Sequence, residues 1–120
     1  MINDYKNLQV WQKAIELVTQ IYKITQNFPK EERFGITSQI QRAAVSIPSN
    51  IAEGKMRGGD VEFRRFLLIA FGSGGELETQ LLITKNLGFI TLKEYNEITD
   101  MLSEVMKMLN RLIAKLDASC

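Results

Sequence analysis

The residues best suited to chemistry are basic ones near the middle of the chain. Lys55 and Arg57 stand in the run Gly54-Lys-Met-Arg-Gly-Gly59, and Arg64 and Arg65 follow shortly after. Arg42 precedes them, and Lys13 lies nearer the N-terminus. Ammonium and guanidinium groups suit phosphate oxygens, and glycine lets a ligand approach the backbone closely. The run is not a nucleotide-binding P-loop. That motif needs glycine at position 49 and Ser or Thr after Lys55, where Ser49 and Met56 stand. Each cation also has an ordinary reading, as a solvated charge or a helix-end cation, and for Arg42 as half of a buried ion pair. Residues 33–65 hold 6 basic against 3 acidic side chains, so the middle is locally basic although net charge is only +1.

Other chemistry is poorly provided for. The chain has no histidine, which removes His-based zinc sites, Ser-His-Asp and Cys-His catalysis, and the Glu-x-x-His signature of di-iron bundles. Phe71-Gly-Ser-Gly-Gly75 lacks the Gly-x-Ser-x-Gly order of a nucleophile elbow. Carboxylates such as Glu53 and Glu76 have no recognisable nucleophile or base beside them. The expectation is a protein that is not an enzyme, with no catalytic, metal or cofactor site. Cys120 is the one cysteine and the last residue, so it reads as a lone terminal thiol.

These cations must be positioned by helices. At 120 residues, with 45% apolar composition, the chain is expected to form one domain over 1–120. No apolar run reads as long enough to cross a membrane, and the N-terminus lacks a signal-peptide core. The expected location is the cytoplasm.

Leu8 to Asn27 reads as a first helix capped by Asn7, with Val10, Ala14, Leu17 and Ile21 inward. Phe28-Pro29 ends it, and a short piece bent by Gly35 follows. The second helix spans about Ile36 to Arg57. Its apolar line includes Ile40, Ala44, Ile47 and Ile51, with a polar stripe of Arg42, Ser46, Asn50 and Glu53 beside it. Pro48 inside this pattern predicts a kink.

A third helix, Val61 to Leu87, takes Asp60 as cap and Gly88 as terminator. Gly72, Gly74 and Gly75 each cost on the order of 1 kcal/mol relative to alanine there, which predicts close approach of another helix. On that reading Gly72→Leu disrupts assembly or stability. Arg42–Glu76 and Asn50–Ser73 are the expected contacts across the seam. Thr91-Leu-Lys-Glu94 is a capping box, with Ile90 and Tyr95 as its hydrophobic staple. It opens a fourth helix whose apolar stripe includes Leu92, Ile98, Leu102, Val105 and Leu109, with fraying after Lys115. The expected fold is all-α, an up-down-up-down antiparallel four-helix bundle. Ile15, Tyr22, Leu68 and Ile69 fall outside the core phase, a surplus that suggests subunit contacts.

Several of these words resemble a known family. LQVWQKA at Leu8 to Ala14, QRAAVSIPSNIAEG at Gln41 to Gly54, FRRFL from Phe63 and GSGGELETQL ending at Leu81 are similar to the four-helix-bundle proteins encoded in bacterial 23S rRNA intervening sequences. That family is related to the accessory variability determinants of diversity-generating retroelements. The resemblance covers nearly the whole chain and implies a ring-shaped homo-oligomer, a pentamer. It also implies a reverse-transcriptase-like protein partner. This chain departs from the common pattern at Gln41, where an arginine often makes an Arg-Arg pair, and at Gly74-Gly75, which replace larger residues.

Two functions are expected. The first is binding of structured RNA or another nucleic acid, with Lys13, Arg42, Lys55, Arg57, Arg64 and Arg65 as phosphate contacts. Repetition of a modest basic patch around an oligomer enlarges its field. The second is a protein–protein scaffold or adaptor.

Overall fold

A computed structural model describes residues 4–117. Four helices account for most of them: α1 (Gln9–Thr25), α2 (Ile36–Met56), α3 (Asp60–Asn86) and α4 (Leu92–Asp117). Each packs on its neighbours in sequence, and α1 packs on α4 to close the bundle; α1 and α3 lie on a diagonal, with no close backbone approach. The bundle measures 44 × 22 × 20 Å. Cys120 lies outside the described residues.

The inward phase follows the apolar periodicity. Leu17 and Ile21 of α1, Ile40 and Ile47 of α2, and Leu67 and Leu77 of α3 are fully buried. They meet Ile98, Leu102 and Leu109 of α4. Leu92 departs from its expected place. It is 61% exposed, and Ile113 joins the buried stripe instead.

The α4 start is a complete capping box. The Glu94 amide donates to Thr91 Oγ1 at 3.0 Å, and the Thr91 amide donates to Glu94 Oε1 at 2.9 Å. Ile90 is buried and Tyr95 packs against the core, as a staple requires. Thr91→Ala removes one arm of this box and is expected to cost about 1 kcal/mol, read as a lower urea midpoint at unchanged m-value. The preceding turn is a Schellman motif. Gly88 has φ 78°, the Phe89 amide donates to the Thr84 carbonyl at 2.9 Å, and the Gly88 amide to the Lys85 carbonyl at 3.0 Å.

Three helix starts or ends differ from expectation. Asn7 does not cap α1; it closes a one-turn 3₁₀ helix, Tyr5–Asn7, whose own cap is Asp4, and Leu8 takes the N-cap position without a side-chain bond. Asp60 is the first residue inside α3, and Gly59 at φ 88° is its N-cap. The connection needs a left-handed residue there, which glycine supplies and aspartate resists. At the other end of the chain, α4 continues past Lys115 to Asp117. α2 runs as one helix through the buried Pro48.

The membrane expectation also needs revision on length. α3 is 27 residues long with a mean hydropathy of 1.2 over its most apolar window, enough by composition to cross a membrane. Only 39% of that window is buried in the bundle. The excess apolarity therefore lies on the outer side of α3.

Candidate nucleic-acid interface

The α2–α3 turn brings part of the basic set together. α2 ends and α3 begins at the same end of the bundle, so Lys55 and Arg57 arrive beside Arg65. The side chains gather on two phenylalanines. Lys55 Nζ lies 5.3 Å from the Phe63 ring centre, and the guanidiniums of Arg57 and Arg65 lie 4.9 and 4.5 Å from that of Phe66. Such cation–π contacts hold the long side chains without neutralising them.

Two carboxylates lie within the cluster. Arg57 donates to Glu53 Oε2 at 2.8 Å and approaches Glu62 at 3.7 Å. Arg65 Nε donates to Glu62 Oε2 at 3.0 Å. The hydrogen bond from Arg65 holds the Glu62 carboxyl below its ordinary range, and the same bond raises Arg65. Glu62 thus stays charged near neutrality and competes with any phosphate for both guanidiniums. Glu62→Gln removes that competitor. It is expected to tighten binding of an RNA duplex several-fold at low salt and to steepen the salt dependence by up to about one charge, measured by fluorescence anisotropy.

Arg64 is on the same turn but faces α4, donating to the Ile113 carbonyl at 3.3 Å and lying 3.5 Å from Asp117. It ties α3 to the end of α4. Arg111 and Lys115, on that part of α4, line a groove with Leu8 and Gln9. Sequence reasoning missed these two; the up-down order of helices was the signal that brings the α4 terminus to this end.

Arg42 and Lys13 stand apart. Lys13 pairs with Glu104 of α4 at 3.3 Å. Arg42 lies thirteen residues before Lys55 on one helix, about 20 Å along its axis. It shares a groove with Gln39, Ser46 and Glu76 but makes no ion pair with Glu76. The expected Asn50–Ser73 contact is relayed. Ser46 Oγ meets Ser73 Oγ at 2.8 Å, and Asn50 Nδ2 donates to Ser46 Oγ at 2.9 Å.

The glycines divide by role. Gly54 is where α2 and α3 touch; an added Cβ there would lie 2.6 Å from Phe66 Cβ. Gly74 faces Met106 of α4, a contact with a flexible side chain. Gly72 and Gly75 meet nothing within 4 Å, so no close approach inside the subunit explains them, and the overpacking expected of Gly72→Leu has no basis there. Among the described residues, no group of three His, Cys, Asp or Glu is placed to hold a metal.

The fold is a four-helix bundle whose α2–α3 end gathers Lys55, Arg57 and Arg65 among the carboxylates Glu53, Asp60 and Glu62. The chain belongs to the 23S rRNA-intervening sequence protein family, whose model matches residues 6–111. A similar solved structure is a protein of unknown function from the S23 ribosomal protein family of Bacteroides thetaiotaomicron. It is 28% identical, with a TM-score of 0.81 over 87% of this chain and 97% of that one. Comparison with curated proteins finds no match.

Proposed function

We propose that this protein is a non-enzymatic accessory factor that binds structured RNA through the α2–α3 tip, with copies of the tip repeated around a cytoplasmic homo-oligomer. The observation that carries this reading is the convergence of Lys55, Arg57 and Arg65 on the Phe63 and Phe66 rings. Arg111 and Lys115 add basic side chains along α4 at the same end of the bundle. Three cations on one surface attract a polyanion without reading its sequence, so the reading calls for shape-tolerant binding. The family is named for 23S rRNA-intervening sequences, which makes structured RNA the first ligand to try.

The test is titration of the full chain with a duplex RNA at several salt concentrations. Binding that falls by a log–log slope of about −2 to −3 supports three phosphate contacts per tip. No binding at low salt, with a protein co-purifying instead, transfers the function to the scaffold reading.

A further inference from the structure

We infer that the groove between the start of α1 and the end of α4 seats an unpaired nucleotide of the RNA whose duplex the α2–α3 turn holds. The inference rests on the function proposed above and adds a second, chemically different contact to it. The groove exists because α4 outruns α1. The Lys13–Glu104 pair at 3.3 Å sets the register of these two antiparallel helices and brings Gln9 level with Met108. α1 starts there, while α4 continues to Asp117, roughly 14 Å farther at 1.5 Å per residue. The chain before α1 turns away from that projecting piece. The Tyr5–Asn7 turn packs on α1 and α2, with no close backbone approach to α4. Two contacts hold it there: the Tyr5 ring meets Trp11 edge-on at 5.3 Å, and the Gln12 amide donates to the Lys6 carbonyl at 2.8 Å.

The space left is about 310 Å³, at the lower end of small-ligand sites. Its floor is apolar: Val10 is buried, and Leu8, Met108 and Leu112 are half-buried. Arg111 and Lys115 edge it, and no carboxylate lines it. Arg111 forms no ion pair among the described residues. The α2–α3 turn is different, since Glu53 and Glu62 occupy its guanidiniums. The groove therefore suits an occupant with an apolar body and an anionic edge. An unpaired nucleotide has both parts. Its base lies on the floor, where the Met108 thioether favours an aromatic ring, and its phosphate meets Arg111 and Lys115. The Gln9 side-chain amide, also in the lining, can donate to or accept from a base edge. A base paired inside a duplex cannot reach this floor. One RNA can engage both places. The bundle is 22 × 20 Å across, and six nucleotides at ~3.4 Å each span about 20 Å. The Arg64 bonds to Ile113 and Asp117 fix the end of α4 against α3, so the groove and the turn keep a constant separation.

The test titrates the full chain with three RNAs by fluorescence anisotropy: a blunt duplex, the same duplex with a six-uridine 3′ overhang, and that duplex with an abasic overhang of equal length. The uridine overhang is expected to bind about five-fold or more tighter than the other two, because only it supplies both phosphates and bases. A 4-thiouridine in the overhang is expected to cross-link to peptides containing Gln9 or Met108. Leu8→Ser removes part of the apolar wall and places a good capping residue at the N-cap of α1, so the helix keeps its start. It is expected to reduce the preference to less than about two-fold, with blunt-duplex affinity and helical circular dichroism unchanged. Arg111→Gln is expected to weaken overhang binding more than blunt binding. Equal affinity for all three RNAs, a preference that the abasic overhang retains, or cross-links confined to other segments overturns this inference and leaves duplex binding at the turn intact. Cross-links absent while the groove takes up decanoate overturn it too, and assign the groove to an acyl anion. No binding of any of the three RNAs overturns both this inference and the function it rests on.

Discussion

Reversing Lys55, Arg57 and Arg65 to glutamate is expected to reduce affinity for duplex RNA by about 100-fold or more at low salt. The reasoning is electrostatic. The three cations share one tip, so each reversal removes an attraction and adds a repulsion at the same phosphate track. The reversed chain also leaves Glu53 and Glu62 without their guanidinium partners. Those ion pairs are solvent-exposed, so the expected loss of fold stability is small compared with the loss of binding. Far-ultraviolet circular dichroism separates the two effects. Reversal of Lys23, Lys85 and Lys93, which lie at the opposite end of the bundle, is the charge-matched control and is expected to change affinity little. Equal losses from the triple variant and this control would mean that binding follows overall charge and not the tip.

The largest expected effect on folding is at Gly54. Its added Cβ would meet Phe66 Cβ at 2.6 Å and the Phe63 carbonyl at 3.3 Å. One of those atoms is backbone and another is fixed directly to it, so a rotamer change gives little relief. Gly54→Leu is expected to cost about 3 kcal/mol or more through overpacking, lowering the melting temperature by more than about 12 °C. It also pries apart the α2–α3 seam that holds Lys55 and Arg57 near α3. RNA binding is therefore expected to fall together with stability. A melting temperature within a few degrees of the parent's would show that the two helices separate easily at this crossing.

Much of the fold was legible because helical phase is a local property. Ile40, Ile47 and Ile51 repeat at helical spacing whatever surrounds them, and Thr91 and Glu94 satisfy each other across a single turn. Turns between helices were harder. Asp60 is a good cap by residue type, but Gly59 at φ 88° meets the backbone requirement first. The site was legible only in part. Lys55, Arg57 and Arg65 are close in sequence, and a short turn keeps them close in space. Arg64 stands next to Arg65 yet turns to Asp117, because adjacent residues on a helix point about 100° apart. Gly54 sat among Gly58 and Gly59 as one glycine-rich word. Only a neighbouring helix separates its role from theirs, since it is pressed against Phe66 while the other two have positive φ and open surroundings.

The Ser46–Ser73 hydrogen bond lies mid-seam, well away from the charged tip. It nevertheless acts as a gauge for that tip. Hydroxyls that meet at 2.8 Å admit one sliding position of α2 along α3. A slip of one turn would carry Arg57 about 5.4 Å past Phe66 and Glu62. The pitch between neighbouring positive charges at the tip is thus metered by two small neutral side chains that lie far from it.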